Sequence, residues 1–156
     1  MIYINQLRDL VNETLIEIEL HSTESVELIL GTIAQESHLG TYLRQLGNGP
    51  ALGICQMEPA THDDIWNNYL KYKQSLTSKI IDIMSYRTTP DEHTSKELVW
   101  NLKYAIAMCR IHYLRKKGAI PKDLEGQAKY WKEHYNTYLG KGTTEEYINN
   151  YQRFVK

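Results

Sequence analysis

Phenylalanine is almost missing from this chain: one Phe stands against twelve Tyr and three Trp. Rings with a polar tip suit half-wet surfaces and sugar grooves better than a dry core. A Tyr-rich surface and a binding groove both remain open on that count. Two cysteines, Cys55 and Cys109, are too few for a disulfide framework, and two free, buried thiols are expected. Charge of one sign is also lacking, with a net charge of −1 over 156 residues. That balance excludes a strong electrostatic hold on nucleic acid, and any grip on a polyanionic substrate has to be local. No apolar run approaches the ~20 residues of a membrane span. The first residues, Met1 to Asp9, show no basic region followed by an apolar stretch, so no signal peptide is expected. On that reading the chain is made in a cytosol. No repeat, low-complexity stretch or Pro/Ser-rich linker divides it, and one domain over 1–156 is expected.

What is present is helical periodicity. Ile4, Leu7, Val11, Leu15 and Ile18 recur at steps of three and four, which predicts a helix over 2–20. Ser22 or Thr23 then caps a second helix over 24–38, with Glu24 in its positive first turn and Gly40 as its end signal. Gly40, Gly47, Gly49, Pro50, Gly53 and Pro59 crowd the next twenty positions and predict a long ordered loop or a short β-hairpin. Helical patterns return over 61–86. Thr89-Pro90-Asp91-Glu92 reads as a helix start, and Leu98, Leu102, Ala105, Cys109 and His112 form one stripe. Arg115-Lys116-Lys117-Gly118 reads as a charged helix end or as a substrate patch, the helix end being the simpler account. A helix near 123–136 carries Ala128, Trp131 and Tyr135. Thr143-Thr144-Glu145-Glu146 opens a last one with Tyr147, Tyr151 and Phe154. The expected fold is mainly α.

One carboxyl breaks the pattern of polar residues facing water. Val26, Ile29, Ile33 and Glu36 follow steps of three, four and three, so Glu36 continues an apolar stripe. It also falls in the last turn of its helix. Burial and the negative end of the helix dipole both disfavour a carboxylate and push its pKa up. A general acid working near neutral pH needs that shift. A glutamate that merely ends a helix and reaches solvent would fit the same helix, so its neighbours have to decide.

Those neighbours are Gln35-Glu36-Ser37-His38-Leu39-Gly40 and, shortly after, Gly49…Gly53-Ile54-Cys55-Gln56…Pro59. The pair resembles the lysozyme-like superfamily, in particular soluble lytic transglycosylases and related phage cell-wall enzymes. Those proteins carry a helix ending in Glu-Ser and a Gly-x-x-Gly-(Leu/Ile)-Met-Gln loop followed by Pro. Here Cys55 stands where Met is usual. The family's late Ala-Tyr-Asn-Ala-Gly motif has a looser counterpart in His134-Tyr135-Asn136-Thr137 with Gly140 beyond. Its middle Asn-(Ile/Leu)…Tyr-Leu region has one, at altered spacing, in Asn101-Leu102 and Tyr113-Leu114.

The resemblance spans about residues 24–140 and implies a lysozyme-like (α+β) domain. It implies cleavage of the β-1,4 bond between N-acetylmuramic acid and N-acetylglucosamine in peptidoglycan, with Glu36 as sole acid/base. Ser37 would orient the site and Gln56 would line the cleft and bond the sugar. Tyr135 would bring its hydroxyl toward Glu36, supported by Asn136. A hydrolase would need a second acid, and Glu58, Asp63 and Asp64 are the near candidates. No cofactor and no metal are expected, since His38, His62 and His93 lack ligand spacing. The expected partner is peptidoglycan glycan, bound by a monomer released with a holin or carried in a phage particle. A non-catalytic glycan-binding or structural module of the same shape is the alternative.

Overall fold

The computed structural model describes residues 1–85 and 94–156. The helix start expected at Thr89-Pro90-Asp91-Glu92, and His93, lie outside them.

Helix α1 (Ile4–Glu17) buries Leu7, Val11 and Leu15, the stripe read from their spacing, and stops where Glu19 turns to positive φ. Helix α2 (Thr23–Ser37) begins with a capping box. The Ser22 hydroxyl accepts from the Ser25 N–H at 3.0 Å, and the Ser25 hydroxyl accepts from Ser22 N–H at 2.8 Å. Val26, Leu28, Ile29, Leu30, Ile33 and Ala34 are all buried, so this helix is wrapped on several sides and forms the axis of the core. Helices α1, α6 (Leu102–Leu114), α7 (Leu124–Trp131) and α8 (Thr144–Phe154) pack around it. Gly31 makes room for α8, because a Cβ there would lie 2.0 Å from the Tyr147 hydroxyl.

The end of α2 differs from the single glycine cap expected at Gly40. His38 and Leu39 already take positive φ, 48° and 54°, before Gly40 at 74°. Two non-glycine residues in that region cost energy. Burial of Leu39 and stacking of the His38 ring on Phe154 of α8, centroids 5.3 Å apart, offset it.

The glycine loop is ordered, but it forms no strand. Two isolated antiparallel bridges, Arg44 with Leu52 and Leu52 with Met57, stand where a hairpin had been one of two options. A short 3-10 turn covers Leu46–Asn48. The architecture among the described residues is therefore mainly helical.

Helices α3 (Pro59–Asn68) and α4 (Gln74–Ile83) follow, joined by a 3-10 turn at Leu70–Tyr72. The stripe from Leu98 to His112 is not one helix. Asn101, at φ −100° and ψ 94°, separates the short α5 (Glu97–Trp100) from α6. Its side chain explains the break: Oδ1 accepts from the Tyr104 N–H at 3.0 Å, while Nδ2 donates to Ile83 O at 2.9 Å and to Glu97 Oε1 at 2.8 Å. A residue capping one helix while tying two others cannot also continue it. Helix α7 runs on as one π turn over Lys132–Asn136. The box expected at the start of α8 is present between Thr143 and Glu146. No helix among the described residues is long and apolar enough to cross a membrane.

Candidate active site

An open groove of about 800 Å³ runs past the end of α2. Its volume lies in the range of ligand clefts. Glu36, Tyr42, Gln56, Glu58, Tyr135 and Asn136 all line it, so the end of α2, the glycine loop and the π turn converge on one place.

Glu36 is partly buried, and its Oε1 accepts a hydrogen bond from Trp131 Nε1–H at 2.9 Å. No cation forms an ion pair with it among the described residues. Desolvation raises its pKa to about 7, against the opposing pull of the Trp131 N–H. The charge of an ionised Glu36 is felt by Tyr135, Cys55, Tyr42 and Tyr113, whose own pKa values are pushed up first by burial and further by that charge. The carboxyl therefore sits among neutral aromatic and thiol groups and holds a proton close to neutrality.

The loop is held against this carboxyl by backbone pairing and by Ser37. Gly53 N–H donates to Leu43 O at 2.8 Å, and Leu52 and Met57 exchange bonds of 2.9 and 3.0 Å. Gly53 sits at φ 78°, and a Cβ there would lie 2.2 Å from the carbonyl oxygen of Leu98. The Ser37 hydroxyl donates to Ile54 O at 2.6 Å and accepts from Gly40 N–H at 2.9 Å. At 0% exposure it has no surface for a sugar and acts as an internal tie between helix and loop.

Gln56 lines the groove at φ 49°, yet its Nε2 is already bonded to Gly53 O at 2.9 Å. Its amide oxygen and its second amide hydrogen are left for a ligand. The Tyr135 hydroxyl donates to Cys55 O at 2.7 Å, so its hydrogen is committed to the loop while its ring stacks on Tyr113 with centroids 5.3 Å apart. Asn136 accepts from Lys132 Nζ at 2.6 Å, and the same ammonium donates to Gly140 O at 2.8 Å, which closes the turn beyond the π segment. Cys55 and Cys109 are free and buried.

The three candidate second acids separate. Glu58 lines the groove. Asp63 lies outside it, exposed and bonded to His62 Nδ1 at 2.9 Å, and Asp64 is paired with Arg115 at 2.6 Å. That ion pair lowers the Asp64 pKa. Asp64 thus ties α3 to the end of α6, while Asp63 bonds its neighbour His62 within α3, and neither engagement is revealed by spacing alone.

Three contributors escaped the sequence reading. Trp131 was visible only as an apolar helix residue, though a tryptophan at a buried site implies a partner for its N–H. Tyr42 had no motif. His112 reaches the groove with Nδ1 facing Arg115 Nη2 at 3.1 Å. Burial first, then Arg115 and Lys116, depress its pKa to about 3, so it is a neutral wall of the groove.

Compared with protein-family models, with curated proteins and with solved structures, the chain matches none.

Proposed function

We propose that this chain cleaves the glycan strands of bacterial peptidoglycan, at the β-1,4 bond between N-acetylmuramic acid and N-acetylglucosamine, with Glu36 as the acid. The observation that carries the reading is a carboxyl with pKa raised to about 7, lining an open groove beside the glycine loop. A protonated Glu36 gives its proton to the glycosidic oxygen as the C1–O bond breaks. The resulting carboxylate then accepts a proton from the group that attacks C1. With Asp63 and Asp64 engaged elsewhere, a single-acid route is favoured, in which the sugar's N-acetyl group assists and the 6-hydroxyl closes a 1,6-anhydro ring. The lysozyme-like fold and a phage lysis or entry role belong to the same proposal and rest on the motif resemblance.

Zymography on purified cell walls tests it, comparing wild type with Glu36→Gln. Clearing by wild type and a loss on the order of a thousandfold in the variant is expected. Equal clearing by both proteins would refute the role of Glu36. No clearing by either, with retained binding to walls, would establish the non-catalytic module instead.

A further inference from the structure

Helix α6 presents a second, separate concavity. His112 faces the groove, whereas Arg110 and Tyr113 line a pocket of about 360 Å³ whose wall shares no residue with it. The pocket is closed by the segment after α6, including Lys116, Ile120 and Lys122, and by Tyr130 of α7 and Glu24 of α2. Three cations meet one acid there, leaving two positive charges in excess.

The cations are not spent on the protein. Arg110 donates from Nε to Leu20 O at 3.3 Å, and among the described residues neither it nor Lys116 nor Lys122 forms an ion pair. Arg115, next to Lys116, is by contrast paired with Asp64. The nearby Asp123 carboxylate is turned to its own helix, where it accepts from Gly126 N–H at 3.2 Å. Arg110 is partly buried, and its desolvation lowers the pKa of the guanidinium. Both terminal nitrogens of Arg110 make no bond to the described residues and remain open to solvent, so an anion in the pocket can take them.

We propose that this pocket binds a phosphate monoester or inorganic phosphate as the dianion. A phosphate carries about −1.5 to −2 charges near pH 7, which balances the excess. Its tetrahedral oxygens suit one forked guanidinium and two ammonium groups. Ile120 and the Tyr130 ring provide an apolar wall for the group an ester would carry. The site is independent of Glu36 and of any reaction in the groove.

The test is calorimetric titration at pH 7.5 and constant ionic strength, with inorganic phosphate and with N-acetylglucosamine 1-phosphate in separate arms. Saturable one-to-one binding is expected in at least one arm. Tighter binding of the ester identifies a phosphosugar as the source, and binding of inorganic phosphate alone identifies the free ion. Arg110→Gln should abolish binding. Because that substitution touches the core, Lys116→Gln with Lys122→Gln provides the surface control, expected to keep the fold and weaken binding at least ~10-fold. Glu36→Gln should bind like wild type. Absence of saturation in both arms, an equal response to chloride at matched ionic strength, or unchanged affinity in the double lysine variant would overturn the proposal.

Discussion

Trp131 Nε1–H reaches Glu36 Oε1 at 2.9 Å and thereby joins the end of α7 to the end of α2. It is the hydrogen bond that opposes the desolvation of Glu36, because an N–H donor favours the ionised carboxyl. Trp131→Phe removes that donor while keeping a ring against Tyr147, whose centroid lies 5.3 Å from that of Trp131. The Glu36 pKa should rise further above its present value of about 7. The alkaline limb of the activity profile should then move to higher pH, and stability should fall by about 1–3 kcal/mol. A pH–rate profile with an unmoved alkaline limb would show that the indole does not tune the acid.

Glu36 makes the fold less stable as pH rises. Its folded pKa, about 7, stands above its ordinary 4.5. Below 4.5 the group is protonated both folded and unfolded. Between that pH and 7 only the unfolded chain releases the proton, so folding stability declines across this window and levels off above it. The loss reaches at most about 3 kcal/mol. Glu36→Gln has no such term. Urea unfolding should therefore show the variant gaining on wild type between pH 4 and pH 8. A constant difference between the two proteins over that range would mean the carboxyl is solvated.

Gly53→Ala tests whether the loop is built to its position. The new methyl meets a backbone oxygen, Leu98 O, at 2.2 Å, and the residue stays at φ 78°. Neither strain is relieved by rotating a side chain. A destabilisation of about 2–4 kcal/mol is expected, read as a lower Tm. A fall below 0.5 kcal/mol, roughly the scatter of harmless surface changes, would show that loop and α5 separate readily.

Product chemistry separates the roles of the remaining acids. With Glu36 acting alone, Glu58→Gln should keep cleavage within about tenfold, far from the loss a missing acid/base produces. Mass spectrometry of digested glycan should then find anhydro-muramic ends. Reducing ends, together with a loss in Glu58→Gln comparable to that in Glu36→Gln, would assign Glu58 as the base of a hydrolase.

The legible parts of this chain were those written in local spacing. The stripe of α1, a cap at Ser22 or Thr23, the box at Thr143, and the alignment of Glu36 with the apolar stripe of α2 each follow from contacts within a few residues. The Asn101 break was hidden because its reason, bonds to Ile83 O and Glu97, lies outside the helical repeat. Asp63 and Asp64 looked equivalent to Glu58 until His62 and Arg115 claimed them. The Ser37 hydroxyl sits next to Glu36 in sequence yet points into protein, since successive helix residues face different directions.

Periodicity and capping alone determined that the chain is mainly helical and that Glu36 stands in line with the apolar stripe of α2, because both are set by the geometry of single helices. Tertiary structure decided what surrounds the carboxyl: Trp131 from 95 positions away, the Tyr135 hydroxyl bonded to Cys55 O, and a groove between them. Desolvation depends on every atom that displaces water around a group, and those atoms come from segments remote in the chain.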